Sequence, residues 1–91
     1  MKIRAMVTVR GLVQGVNFRR YTQQTATRLN VSGWVKNLPN GSVSGCFEGE
    51  EHDVAALLDW CRQGPAGARV SDVQVDRGEF TGEFDGFHIA Y

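Results

Sequence analysis

The sequence predicts an α+β fold in the order strand, helix, strand, strand, helix, strand, closed by a short fifth strand. Three observations carry this. A period-two run, Ile3 to Arg10, opens the chain; two later stretches repeat apolar residues at helical spacing; and Asn40-Gly41 sits between two apolar-rich runs in the middle.

Ile3, Ala5, Val7 and Val9 alternate with Arg4, Met6, Thr8 and Arg10, the pattern of a strand with one buried face. From Arg19 to Leu29 there is no glycine or proline, and Phe18, Thr22, Ala26 and Leu29 share one helical face, with Asn30 suited to a left-handed cap. Helix one lies there, although Thr22, Thr25 and Thr27 are indifferent helix formers. Trp34 to Leu38 and Val43 to Phe47 flank Pro39-Asn40-Gly41, a hairpin signal that pairs strands two and three in antiparallel fashion. Glu50, Glu51 and Asp53 then open a segment in which Val54, Leu57, Leu58 and Cys61 recur at i, i+3, i+4 and i+7, ending on Arg62 and Gly64. Acids at the start and a base at the end suit the helix dipole, so this is helix two. After Gly64-Pro65-Ala66-Gly67, Val73 and Val75 alternate with Asp72, Gln74 and Asp76 as strand four, and Phe87, Ile89 and Tyr91 alternate as a short fifth strand. The order is that of a ferredoxin-like (βαββαβ) sandwich, an antiparallel sheet with two helices on one face. Such a fold hosts binders and enzymes alike, so function must come from particular residues.

At 91 residues the chain is expected to form one domain, residues 1–91, around one core. No apolar run approaches the ~20 residues of a membrane-spanning helix, and Met1 to Arg10 lack the pattern of a secretory signal. A cytoplasmic monomer that engages no membrane is the expectation. Cys46 and Cys61 are too few for a disulfide framework and too isolated for a CxxC motif, so both read as small hydrophobes. His52 and His88 have no second ligand at metal spacing. Net charge is zero, yet Lys2, Arg4, Arg10, Arg19, Arg20, Arg28 and Lys36 all precede the first acid, Glu48. Either the two halves interleave as ion pairs, or the first half presents an anion-attracting face.

The unusual stretch is Gly11-Leu12-Val13-Gln14-Gly15-Val16-Asn17-Phe18-Arg19, between strand one and helix one. Two glycines four apart allow a tight loop whose N–H groups turn inward, and the helix start adds further free donors. The helix dipole contributes roughly half a positive charge there, and the planar fork of Arg19 matches phosphate. Spacing alone equally allows a simple turn followed by a solvated arginine. No Gly-Lys-Ser/Thr follows and the run is not GxGxxG, so a small anion fits better than a nucleotide. Trp34 and Trp60 read as packing residues, and Glu50, Glu51 and Asp53 as dipole partners.

This run, together with Gly33-Trp34-Val35-Lys36-Asn37 and the following Asn40-Gly41-Ser42-Val43, resembles the two signatures of the acylphosphatase family: Gly-x-Val-Gln-Gly-Val-x-Phe-Arg, and Gly-Trp-Val-x-Asn with a downstream Gly-x-Val. The similarity continues through Gly64-Pro65, Ala68-Arg69-Val70 and Phe87-His88-Ile89-Ala90-Tyr91. Asn17 stands at a variable position, and Ala90 where an arginine often precedes the final tyrosine. The resemblance implies a hydrolase that splits acyl phosphates into carboxylate and inorganic phosphate with no cofactor and no metal. In it, Arg19 and the loop amides of Val13, Gln14, Gly15, Val16, Asn17 and Phe18 bind phosphate, and Asn37 orients the attacking water.

Two rivals come from other classes. An RNA-binding domain of this fold carries aromatics on its central strands; strand one has none, and no nucleic acid partner is expected. The other rival is a non-catalytic module that binds acyl or carbamoyl phosphate.

Overall fold

Alternation along the first strand decides which face of the sheet is covered. In the computed structural model, which describes residues 1–91, β1 (Lys2–Leu12) buries Ile3, Ala5, Val7 and Val9 and leaves Arg4, Met6 and Thr8 half-exposed on the other side. α1 (Phe18–Arg28), β2 (Ser32–Asn37), β3 (Val43–Glu50), α2 (Glu51–Gln63), β4 (Arg69–Glu79) and β5 (Phe87–Ile89) follow. The sheet order is β4-β1-β3-β2-β5. β1 pairs antiparallel with β3 through Val7↔Gly45 and with β4 through Val7↔Val75, and β2 pairs antiparallel with β3 through Val35↔Gly45.

The sheet differs from expectation at one edge. β5 runs parallel to β2, with Gly33↔Phe87 and Val35↔Ile89, so the sheet is mixed. A parallel pair needs a long crossover, here the whole stretch from β3 to β4, and such a connection leaves no local signal. Element ends also move. β1 continues past Arg10 to Leu12, β2 ends at Asn37 rather than Leu38, β3 reaches Glu50, and β4 spans both sides of its Val73-Val75 pattern.

Both helices pack on the face that β1 buries. Phe18 and Ala26 of α1 and Val54, Leu57 and Cys61 of α2 join Val35, Val43, Phe47 and Phe87 in one cluster. Phe47 meets Phe87 at 5.8 Å and Phe18 meets Trp60 at 5.5 Å between ring centroids. Each fully buried Leu, Val or Phe side chain contributes about 1.5–3 kcal/mol, so this cluster is the main cohesive term. The threonines of α1 are accommodated because Thr22 and Thr25 hydroxyls donate to the carbonyls of Phe18 and Tyr21, one turn back. The helix ends as Asn30 predicts. Asn30 adopts φ 59°, and the N–H groups of Val31 and Asn30 donate to Ala26 and Thr27, the paired bonds of a Schellman cap.

The opposite face carries no helix. The segment after β4 folds over part of it, held by the fully buried carboxylate of Glu48. That group accepts from the N–H and hydroxyl of Thr81, the N–H of Gly82 and the guanidinium of Arg4. Burial alone would raise the Glu48 carboxyl; these donors outweigh it and hold the pKa below the ordinary glutamate value.

Candidate active site

The loop that enters α1 owes its shape to three backbone positions. Where β1 shifts register against β4 between Arg10 and Gly11, Gly11 adopts φ 127°. A Cβ there would lie 2.1 Å from the carbonyl oxygen of Arg69, so only glycine fits this close approach. Gly15 takes φ 77° and Asn17 φ 61°, with Val16 between them at negative φ. Left-handed and ordinary residues in alternation turn successive N–H groups to one side, the geometry of an anion-binding concavity. Gly11 and Leu12 thus belong to the strand, and the loop proper is 13–17.

The donors of this loop are free. No backbone or side-chain acceptor within the protein takes the N–H of Gln14, Gly15, Val16 or Asn17, and the carbonyl of Asn17 accepts from the Tyr21 N–H. Asn17 at the N-cap makes no capping bond with its side chain, and no acid lies in the first turn. The positive end of the helix dipole is therefore uncompensated by the protein itself.

Two tethers fix the loop and its surroundings. Gln14 Nε2 donates to the carbonyls of Leu38 at 2.8 Å and Ser42 at 2.9 Å, both in the turn between β2 and β3. Gln23 Nε2 donates to the carbonyl of Phe87 at 3.0 Å, linking α1 to β5. The turn itself is closed by Leu38 N–H to Ser42 and by the Asn40 side chain, which accepts from Ser42. Asn37, the residue before Leu38, is thereby held beside the loop.

A cleft of about 440 Å³ results, lined by Val13, Gln14, Gly15, Asn17, Phe18, Arg19 and Asn37 among others. These include every residue expected to hold phosphate or water except Val16, whose side chain turns away to pack against the core. Arg19 has no carboxylate partner; its guanidinium lies 5.0 Å from the ring centroid of Tyr91, a cation–π contact that leaves the N–H edge of the fork open. No histidine or carboxylate side chain lines the cleft, and no three His, Cys, Asp or Glu side chains gather where they would share a metal ion. What the cleft offers is hydrogen-bond donors, the guanidinium groups of Arg19 and Arg20, and side-chain amides, of which that of Asn37 can both accept from water and donate.

Other candidates fall elsewhere. Trp34 lies on the helix-free face with Lys36 at 5.9 Å, and Trp60 packs on Phe18. Cys46 and Cys61 are free and buried; burial pushes the Cys61 thiol up to about 12 and the Cys46 thiol also upward, so neither is a thiolate nucleophile. Of the early positive charges, Arg4 and Arg10 pair with acids from the second half, while Arg19 and Arg20 carry no ion pair and line the cleft. The interleaving reading thus holds for Arg4 and Arg10.

The sequence reading missed four lining residues, Arg20, Gln23, Ile89 and Tyr91, and the tethering role of the Gln14 side chain. Tyr91 belongs to the C-terminal segment, where the Ala90 N–H donates to Val35 at 2.8 Å and continues the strand pairing. For Gln23 the signal was present in its i+4 spacing from Arg19 on one helix; Arg20, at i+1, had no such signal.

Comparison with known proteins places this geometry in context. The acylphosphatase family model matches residues 5–89. The chain is 86% identical over its full length, and the full length of the relative, to an acylphosphatase of Geotalea uraniireducens (strain Rf4). Among solved structures, a Bacillus subtilis acylphosphatase superposes with a TM-score of 0.94 at 30% identity, covering 98% of this chain and 99% of that one. Full-length HypF, solved in a phosphate- and nucleotide-bound form, matches all of this chain with 12% of its own at 26% identity and a TM-score of 0.86.

Proposed function

The chain belongs to the acylphosphatase family and shares its hydrolase activity on acyl phosphates, and from that premise we propose how its residues divide the work. Arg19 and the amides from Val13 to Phe18 hold the phosphoryl group, Asn37 orients the attacking water, and residues 1–91 act as one cytoplasmic, monomeric domain without metal, cofactor or nucleic acid.

The observation that carries this reading is the pairing of free N–H groups and an unpaired Arg19 with Asn37 in one cleft lined by no histidine or carboxylate side chain. An acyl phosphate already has a good carboxylate leaving group. Its hydrolysis needs positioning and stabilisation of charge on the phosphoryl oxygens more than it needs a protein nucleophile or base. The loop amides and the Arg19 fork supply that charge stabilisation. Asn37 accepts a hydrogen bond from the water and aims its oxygen at phosphorus. The water oxygen bonds to phosphorus as the bond from phosphorus to the acyl oxygen breaks, and the electron pair leaves with the carboxylate. The water proton passes to a phosphoryl oxygen of the substrate, since no His, Asp or Glu side chain lines the cleft to take it.

Magnitudes separate the two roles. At an effective dielectric near 20, one charge pair at ~4 Å interacts by about 4 kcal/mol, so Arg19→Ala should lose both phosphate binding and turnover. Removing one positioned neutral group costs roughly 100- to 1000-fold in rate, so Asn37→Ala should bind phosphate and turn over poorly. Hydrolysis of benzoyl phosphate, followed by ultraviolet absorbance with a chelator present, tests both. Chelator-resistant hydrolysis, abolished in Arg19→Ala and strongly reduced in Asn37→Ala with the residual activity still inhibited by phosphate, is the expected result. Phosphate binding by folded wild type without hydrolysis would establish a binding module instead.

A further inference from the structure

We infer that the same cleft carries a second anion-recognition position, formed by Arg20 with Gln23, that favours acyl phosphates whose acyl part bears its own negative charge. The inference rests on the proposed function and extends it to the leaving group.

The first ground is unused space. At about 440 Å³ the cleft lies in the range of small-molecule sites, roughly 300–1,000 Å³, and exceeds what a phosphoryl group and one water fill. The residues left over once phosphate and water are assigned are Arg20, Gln23, Ile89 and Tyr91. Whatever is bonded to the phosphoryl group extends along them or into solvent. Ile89 and Tyr91 offer apolar surface to a carbon skeleton; Arg20 and Gln23 offer N–H donors.

The second ground is the placement of Arg20. A cation at a helix N-terminus opposes the dipole. α2 obeys the rule, with Glu51 and Asp53 in its first turn; α1 has no acid there and sets Arg19 and Arg20 side by side. Elsewhere in the molecule Arg4, Arg10, Arg62 and Arg77 have carboxylate partners, while Arg28 and Arg69 have none. Arg20 has none, and unlike Arg19 it has no aromatic ring against it. Arg19 is accounted for by the phosphoryl group. Of the arginines without a carboxylate partner, only Arg19 and Arg20 line this cleft, so a second negative charge on the ligand would meet Arg20 there.

The third ground is order. Gln23 lies one turn beyond Arg19 and Arg20 and is pinned to Phe87 by one of its two N–H bonds. Gln23 lines the cleft, and its remaining N–H is a donor the protein leaves unused.

The test compares 4-carboxybenzoyl phosphate with 4-carbamoylbenzoyl phosphate, which differ in charge and hardly in shape, after subtracting spontaneous hydrolysis. The readout is the ratio of kcat/KM for the two substrates in wild type, Arg20→Gln and Arg20→Lys at low ionic strength. The ratio should fall about fivefold in Arg20→Gln, the size of one partly solvated charge pair, and recover in Arg20→Lys. Raising the salt should erode the wild-type ratio toward that of Arg20→Gln. An unchanged ratio, or equal losses on both substrates, overturns the inference, because Arg20 then serves the phosphate or nothing. Wild type that hydrolyses neither substrate defeats the hydrolase reading, and this inference with it.

Discussion

Replacing Gln14 with methionine tests whether the phosphate loop takes its shape from the β2–β3 turn. The Gln14 amide makes two bonds, to Leu38 at 2.8 Å and Ser42 at 2.9 Å. Both carbonyls also accept from a backbone donor, Gly41 and Leu38 respectively, so the substitution orphans neither. Methionine keeps the length and flexibility of the side chain. The loss is then two hydrogen bonds at about 0.5–1.5 kcal/mol each, or about 1–3 kcal/mol together. A loss of about 2 kcal/mol lowers Tm by about 8–16 °C in a domain of this size. Because the tether aligns the loop amides with Asn37, the same energy should surface in ligand binding. The inhibition constant of inorganic phosphate should rise by about 5- to 150-fold if the whole tether energy holds the loop in its binding shape. Urea unfolding followed by tryptophan fluorescence gives the stability term, and competition against benzoyl phosphate hydrolysis gives the binding term. A variant destabilised by ~2 kcal/mol that binds phosphate like wild type would refute the reasoning, since the tether would then stabilise the fold without shaping the loop.

Two further outcomes follow from groups outside the cleft. Glu48→Gln should destabilise the protein by about 2–4 kcal/mol at neutral pH, as expected for loss of a buried, multiply hydrogen-bonded charge. Its folded pKa lies below the ordinary value, so its stabilisation is complete above that ordinary value and fades as pH falls through the lower folded one. Urea midpoints of wild type and Glu48→Gln should therefore converge in acid; parallel curves down to that range would contradict the assignment. With both thiols buried and their pKa values raised, a disulfide thiol reagent at mildly alkaline pH should label neither Cys46 nor Cys61 in the native state and both in urea; rapid native labelling of either would mean that its strand or helix opens locally.

The elements legible in the sequence are those whose cause is local. Alternation in Ile3 to Val9, the i, i+3, i+4, i+7 series of Val54 to Cys61 and the Asn40-Gly41 turn each follow from neighbours along the chain, and each element is present. The left-handed Asn30 was legible for the same reason. The parallel docking of β5 was not, because it depends on where the sheet leaves an open edge beside β2. At the site, Arg19 and Asn37 stand out through a two-part motif, and the structure sets both along one cleft. The Gln14 bridge joins residues 24 and 28 positions apart, and the ring of Tyr91 meets Arg19 only through tertiary packing; neither has a period or a spacing to betray it. Glu48 reads as the first acid after a basic half, and its burial against Thr81 and Gly82 is visible only in three dimensions.

Because β1 lies between β3 and β4, with Ile3 opposite Glu79 on one side and Gly49 on the other, the strand made first is completed by one of the last. Pairings of such separation must close long loops before they are rewarded, which places folding toward the slow, millisecond-to-second end for small domains. During that interval the β4-facing edge of β1 presents unpaired N–H and C=O groups beside Val7 and Val9, a template for another chain. Docking of β4 replaces that edge with one bearing Arg69, Asp72, Asp76, Arg77 and Glu79, charges that discourage further strand addition. The hazard of self-association along this edge of β1 thus belongs to the time before β4 arrives.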